Sequence, residues 1–176
     1  GRFHSVNTGP ALVALARARD CGFDVDAAAL DAGSKVLLAM RDGAGTYTYT
    51  YPEPISFRKP DASIARGPVC EESLCRLGAN SKDDLKMAID RFMEYRGDLR
   101  LPVKLDESWG HPHNFSSYFY FFAYAHAASA IAFHAESAAD KLRLLQSDLL
   151  RVVELDGTWV DFEMVGKPYG TAMALY

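Results

Sequence analysis

The chain has 176 residues, a formal net charge of −4 and a hydrophobic fraction of 49%. This length suffices for one sizeable core, and the weakly acidic composition without a basic cluster excludes the electrostatic footprint of a nucleic-acid-binding protein. The longest strongly apolar stretch, residues 118–133, contains His126 and Ser129 and is shorter than the roughly 20 residues that span a membrane. We therefore expect one soluble domain, with neither nucleic acid nor a membrane span.

The cysteine and histidine spacings give no complete metal site. Cys70 and Cys75 are five residues apart on one predicted helix, which turns them about 140° away from each other. His111 and His113 could share a zinc ion, but apart from two acidic residues in the same loop no further ligand is near them. We predict no cofactor, and no metal requirement for folding.

Apolar periodicity and capping residues predict two helical hairpins in the first half of the chain. The predicted helices cover residues 9–20, 27–41, 63–77 and 82–96. The first has Asn7 or Thr8 as its N-cap and Pro10 in its first turn, and Asp26 and Ser81 are the N-caps of the second and fourth. Between the hairpins, residues 46–51 alternate like a strand until Pro52 stops them, which predicts an extended loop or one short hairpin arm.

The second half predicts three more helices after a long loop. They cover residues 114–134, 138–154 and 168–176. The sequence Thr8-Gly9-Pro10 opens the first helix of the chain, and Gly170-Thr171-Ala172 opens the last. The two threonines are 163 positions apart, roughly three periods of about 54 residues, which is typical of stacked helix pairs that share one core. Asp42-Gly43 and Asp156-Gly157 mark the same period at the ends of two helices.

The motifs Asp156-Gly157-Thr158-Trp159 and Pro168-Tyr169-Gly170-Thr171-Ala172 resemble the prenyltransferase/squalene-cyclase repeat of the terpenoid cyclase and protein prenyltransferase α/α-toroid superfamily. The likeness is strong over residues 142–176, fair over 8–50 and weak between them. It implies an all-α fold, an α/α-toroid-like arc of antiparallel helical hairpins with about three and a half repeats. Residues 1–176 would form one repeat domain within a longer toroid. The helices at 9–20, 63–77, 114–134 and 168–176 would be its inner layer.

The catalytic motifs of that superfamily are absent or incomplete in this chain. Val153 stands where the repeat has glutamine, and Asp24-Val25-Asp26-Ala27 matches the cyclase acid motif only in part. The Asp-x-Cys zinc motif of the protein prenyltransferases is missing from the sequence. The resemblance therefore implies the fold and no particular activity of the superfamily. We predict a domain without a recognisable catalytic motif, whose concave inner face binds a small apolar or isoprenoid-like ligand, or a partner protein that completes the array. The alternative is an enzyme that processes an isoprenoid or another apolar substrate.

Glu71 and His126 are the candidate catalytic residues. They lie on two predicted neighbouring inner helices, and a carboxylate and an imidazole that face one cavity could perform general acid–base chemistry. The competing interpretation is structural, since a buried histidine or glutamate is commonly satisfied by one hydrogen bond to a neighbouring helix.

The candidate ligand-binding residues are Trp109, His113, Tyr118, Phe122 and Tyr47. Tyr118 and Phe122 belong to an aromatic run that would line the central cavity, or that simply serves a helix buried on all sides. Trp109, His113 and Tyr47 lie in loops, where they would either form a binding rim at the starts of the inner helices or fold over the open end of the array.

Overall fold

The computed structural model describes residues 2–52, 63–99, 120–161 and 166–176. The helices in these ranges are α1 (Ser5–Asp20), α2 (Ala27–Met40), α3 (Gly67–Arg76), α4 (Lys82–Tyr95), α5 (Tyr120–His134), α6 (Ala138–Leu150) and α7 (Gly166–Leu175). Two short antiparallel strands, β1 (Phe3–His4) and β2 (Thr50–Tyr51), pair with each other. The predicted helical architecture is confirmed, with short strands at one edge.

The helices pack as two alternating sets. In the first set, α1 packs on α3, α3 on α5 and α5 on α7; in the second, α2, α4 and α6 each pack on the helix before them. As labels for these two sets, we call α1, α3, α5 and α7 the inner helices and α2, α4 and α6 the outer helices. Near the starts of α1 and α3, the Cys70 thiol donates to the Ser5 carbonyl at 3.6 Å. Near their ends, the Arg19 guanidinium donates to the Arg76 carbonyl at 3.5 Å. Successive inner helices α1 and α3 are therefore parallel.

The start of α1 differs from the prediction. The helix begins at Ser5, whose backbone N–H donates to Tyr49 O at 3.0 Å and whose hydroxyl donates to Thr48 O at 2.8 Å. These bonds hold the helix start against the chain that follows α2, so local capping signals do not set it. Thr8 donates to the His4 carbonyl within the helix, and Pro10 lies in the helix interior. The predicted roles of Thr8 and Pro10 at the helix start are wrong.

Two of the predicted N-caps are confirmed. The Asp26 carboxylate accepts from the Ala28 N–H at 2.8 Å at the start of α2. At the start of α4, the Ser81 hydroxyl accepts from the Asp84 N–H at 3.1 Å, and the Asp84 carboxylate accepts from the Ser81 N–H at 3.0 Å. This reciprocal pair satisfies two of the backbone donors that a helix start leaves open.

The loops after α2 and α6 share one hydrogen-bond pattern. Asp42 N–H donates to Thr46 O at 2.9 Å, and Glu154 N–H donates to Thr158 O at 2.8 Å. Each loop turns at a glycine with positive φ, +71° at Gly45 and +79° at Gly157. The structural equivalent of Gly157 is thus Gly45, two residues beyond the Gly43 that the sequence period suggested. Tyr47 consequently occupies the position of Trp159.

Trp159 joins α6 to α7. Its indole N–H donates to Leu149 O at 2.9 Å, and its backbone N–H donates to the Thr171 hydroxyl at 3.1 Å. A Cβ on Gly170 would lie 2.5 Å from Trp159 O. The prediction that Gly170-Thr171 opens the last helix is wrong, because α7 begins at Gly166 and this pair lies within it. The absence of a Cβ at Gly170 allows the helix to lie directly against the Trp159 backbone.

The most buried helix is α3. All residues from Gly67 to Leu74 are buried, including the two carboxylates Glu71 and Glu72. By contrast, α6 buries only Leu145, and α7 buries only Gly170. None of the helices in the described part of the chain is long and apolar enough to cross a membrane.

Candidate ligand site on the inner helices

A network of polar side chains joins three inner helices around Glu72. The Glu72 carboxylate, which is fully buried on α3, accepts from the Ser129 hydroxyl of α5 at 2.8 and 3.0 Å. It also accepts from Arg76 Nε at 2.8 Å, one turn along α3. Arg17 of α1 approaches the same carboxylate at 3.4 Å and donates to Ser129. We call Arg17, Glu72, Arg76 and Ser129 the Arg17 cluster.

Arg17 is the most exposed ionic group of this cluster. Its side chain is 40% exposed, compared with 13% for Arg76 and 0% for Glu72. On the side away from Glu72, its Nη1 donates to the hydroxyl of Tyr176, directly after α7, at 2.8 Å. Two guanidinium groups therefore share one buried carboxylate, and the more exposed of them carries the surplus positive charge.

His126 lies next to this cluster. Its ring packs edge-on against Phe122 with centroids 4.4 Å apart and is 6.3 Å from the Tyr176 ring. Burial, and after it the positive charge of Arg17, lower the pKa of His126 to about 4. The imidazole is therefore neutral at pH 7, so it extends the site with a ring that carries no charge.

Glu71 faces a different part of the molecule. Its buried carboxylate accepts from Arg41 Nε at 2.7 Å and from the Asn80 side chain. Arg41 in turn donates to Asp84 at 2.7 Å, at the start of α4. Glu71 thus ties α3 to the ends of the neighbouring outer helices. Glu71 and His126 contact different neighbours, and their proposed partnership in acid–base chemistry has no geometric support in these contacts.

Tyr47 is buried, with 2% of its surface exposed, whereas Tyr49 and Tyr51 remain open to solvent. Burial, followed by the nearby Cys70 and Glu71, raises the pKa of the Tyr47 phenol well above its usual value. Of the two interpretations that the sequence left open for Tyr47, its burial matches the one in which the loop folds onto the array. The binding role predicted for this residue would require that contact to open.

The other predicted ligand-binding residues are only partly covered by the structure. Phe122 is buried on α5, among apolar residues of α1, α2 and α3, and Met173 of α7 packs against this group. Trp109, His113 and Tyr118 lie outside the described residues, as do His111 and the start predicted for the fifth helix. Their predicted roles stay predictions.

Asp161 is a candidate functional residue that the sequence interpretation missed. Its side chain is fully buried, and one carboxylate oxygen accepts from the Phe121 N–H at 3.4 Å at the start of α5. Within the described residues the other oxygen has no hydrogen-bond partner. Burial raises its pKa to about 7, although backbone hydrogen bonds from Phe121 and Tyr120 oppose the rise. Asp161 therefore keeps its proton to a higher pH than an exposed aspartate does.

Long-range packing explains why the sequence did not reveal these residues. Arg17 and Glu72 are 55 positions apart, and Ser129 is a further 57 beyond Glu72. The one available signal was Ser129, which with His126 interrupts the longest apolar run of the chain. Arg17 in the last turn of α1 has the ordinary appearance of a residue that offsets a helix dipole.

Within residues 2–52, 63–99, 120–161 and 166–176, no three His, Cys, Asp or Glu side chains are grouped so that they could hold a metal ion. Comparison of the chain with protein-family models, curated proteins and solved structures found no match.

Proposed function

We propose that this chain is a repeat domain of the α/α-toroid type that binds a ligand or a partner chain on its inner helices, without a catalytic step. The observation that supports it best is the position of Arg17, which hydrogen-bonds to Ser129 on α5 and to Tyr176 after α7. It also pairs with Glu72 on α3, so residues of α1, α3 and α5 and the residue that follows α7 meet at one partly exposed cation.

The charge balance favours binding over a purely structural role. Arg76 alone is close enough to compensate the Glu72 carboxylate, with its Nε at 2.8 Å in a mostly buried position. A second guanidinium at 3.4 Å adds positive charge that the buried carboxylate does not need. Partly exposed, surplus charge beside neutral aromatic rings is typical of a site in which a few polar groups orient a mostly apolar ligand.

An unbiased ligand search tests the proposal. The purified protein would be analysed by native mass spectrometry for a co-purified molecule or partner, and binding would then be measured for two bulky variants. His126→Trp fills the inner face next to Arg17 without changing a charge at pH 7. Lys86→Trp places the same side chain on the solvent side of α4, where it also removes the exposed ion pair with Asp90. Binding lost only in His126→Trp supports the inner site. Binding lost only in Lys86→Trp contradicts it.

Asp161 favours a second candidate function, an enzyme that processes an isoprenoid or another apolar substrate. A carboxylic acid that keeps its proton near neutral pH can act as a general acid, and the pKa of Asp161 is about 7. It also lies close enough to Tyr169 of α7 to contribute to the raised pKa of that phenol. In this second candidate function the general acid is Asp161, and Glu71 and His126 have no catalytic role.

Product analysis tests the enzyme. The protein would be incubated with an acyclic isoprenoid, and products would be identified by gas chromatography and mass spectrometry. Asp161→Asn keeps the shape of the side chain but cannot donate a carboxylic proton, and Asp83→Asn on the first turn of α4 is the matched control. An activity that survives in Asp161→Asn would exclude this role.

A further inference from the structure

We infer that the ligand of the inner helices carries a single carboxylate, which binds Arg17 in place of the Tyr176 hydroxyl. This inference rests on the proposed function, because it names the chemical class of the molecule that the site takes. Its basis is the pattern of hydrogen bonds at Arg17, the charge of the cluster and the character of the surrounding side chains.

The hydrogen bonds of Arg17 leave one edge of the guanidinium exchangeable. Its Nη2 faces the protein interior, where it donates to Ser129 and Glu72. Its Nη1 donates to Tyr176, a residue that is 66% exposed. A hydrogen bond between a guanidinium and a carboxylate is charge-assisted and often bidentate, and it is stronger than one to a neutral phenol. A carboxylate can therefore displace the tyrosine hydroxyl.

The charge of the cluster limits the ligand to one negative charge. Arg17 and Arg76 together exceed the charge of Glu72 by one, and Glu72 cannot move away because Ser129 and Arg76 hold it. Arg17 and Arg76 also lie in the last turns of α1 and α3, where helix dipoles contribute partial negative charge. A dianion such as a phosphate monoester would add an uncompensated charge close to the buried carboxylate.

The neighbouring side chains indicate an apolar body for this ligand. The His126 imidazole is neutral at pH 7, packs edge-on against Phe122, and has its centroid 6.3 Å from that of the Tyr176 ring. These rings provide apolar contact area next to the one cationic group. A small carboxylic acid with an aliphatic chain matches both features.

Calorimetric titration of the full chain with three probes tests the inference. Octanoate has the predicted head group, octanol lacks the charge, and octyl phosphate carries up to two charges. The variant Arg17→Gln removes the cation, and Arg17→Lys restores it. Arg143→Gln is the matched control, since Arg143 lies on α6, has a side chain that is 76% exposed and pairs with Asp140 at 3.0 Å.

We expect octanoate to bind more tightly than octanol or octyl phosphate. Arg17→Gln should weaken octanoate binding about tenfold or more, and Arg17→Lys should recover part of it. Arg143→Gln should bind like the unmodified chain. Tyr176→Phe should bind octanoate about two- to fivefold more tightly, because the ligand no longer competes with the phenol. A loss of folding cannot produce that increase.

Several outcomes would overturn the inference. They are equal binding of octanol, tighter binding of octyl phosphate, unchanged octanoate binding in Arg17→Gln, and no octanoate binding to the unmodified chain. Failure of the carboxylate inference can be distinguished from failure of the proposed function. If a co-purified neutral ligand is lost in His126→Trp but not in Arg17→Gln, the inner site stands and the carboxylate is wrong. If His126→Trp retains every ligand, the inner site itself is wrong.

Discussion

The carbonyl oxygen of Trp159 lies against Gly170, 2.5 Å from the place where a Cβ on that glycine would stand. The contact is to the backbone, which cannot rotate away as a side chain could. We expect Gly170→Ala to push α7 away from the loop after α6 and to lower the free energy of unfolding by about 1–3 kcal/mol. Chemical denaturation monitored by circular dichroism measures the change.

Gly43→Ala is the matched control for this prediction. A Cβ on Gly43 meets no atom within 4 Å, and its φ does not lie in the left-handed region. It should change the free energy of unfolding by less than about 0.5 kcal/mol. Equal losses in the two variants would mean that the close approach of α7 to Trp159 is not what makes Gly170 necessary.

Glu71→Gln should be strongly destabilising. The fully buried Glu71 carboxylate compensates Arg41, whose side chain is only 18% exposed, and accepts from Asn80. Removing the carboxylate charge leaves Arg41 with the more exposed Asp84 alone, so we expect a loss of about 3 kcal/mol in urea denaturation. Glu94→Gln, on the exposed side of α4, should have almost no effect. Similar losses in both variants would contradict the structural role of Glu71.

Asp161 should make the folded state less stable as pH rises from about 4 to about 7. The unfolded side chain ionises near its ordinary pKa of 3.8, whereas the folded one keeps its proton up to about 7. The folded state therefore binds more protons than the unfolded state in this window. The stability that protonated Asp161 contributes is fully present below pH 4 and is lost as pH rises through 7. The slope is at most about 1.4 kcal/mol per pH unit. In Asp161→Asn this pH dependence of stability should disappear when thermal unfolding is measured from pH 4 to 7. The same pH profile in the variant and in the unmodified chain would refute the shifted pKa.

His126 should act in the opposite direction over pH 4 to 6.5. Its folded pKa of about 4 is below the ordinary value of 6.5, so the unfolded state binds more protons in this window. The stability that this neutral ring provides is present above pH 6.5 and is lost as pH falls through 4. Titration of the His126 ring proton by NMR measures the pKa directly. A midpoint near 6.5 would show that the imidazole is not buried against Phe122.

The sequence predicted the helices well, but it did not indicate the contacts that Arg17, Glu72 and Asp161 make. Helix periodicity and the caps at Asp26 and Ser81 depend on residues within a few positions of each other, so they could be identified locally. The start of α1 could not be identified, because it depends on bonds between Ser5 and Tyr49 across the fold. Thr8 and Pro10 gave a valid local signal that tertiary hydrogen bonding overrode.

The contacts of the candidate site also depend on residues far apart in the sequence, so local patterns did not indicate them. Glu71 and Glu72 are adjacent in sequence, yet Glu71 pairs with Arg41 after α2 and Glu72 with Ser129 on α5. Which carboxylate faces the inner helices depends on the rotation of α3 within its neighbours. Asp161 was hidden for a related reason, since only its position beside the start of α5 distinguishes it from a loop aspartate.

The uneven burial of the helices has a consequence for how the protein opens. In a stack where each unit contacts mainly its neighbours, local unfolding begins where the fewest side chains are buried. That place is α6 and α7, with one buried residue each, whereas α3 is buried from Gly67 to Leu74 and packs on α1, α4 and α5. The amide hydrogens of α3 should thus be the last to exchange with solvent. Because Tyr176 lies directly after α7, local opening of α7 would expose the Arg17 edge while α3 stays folded.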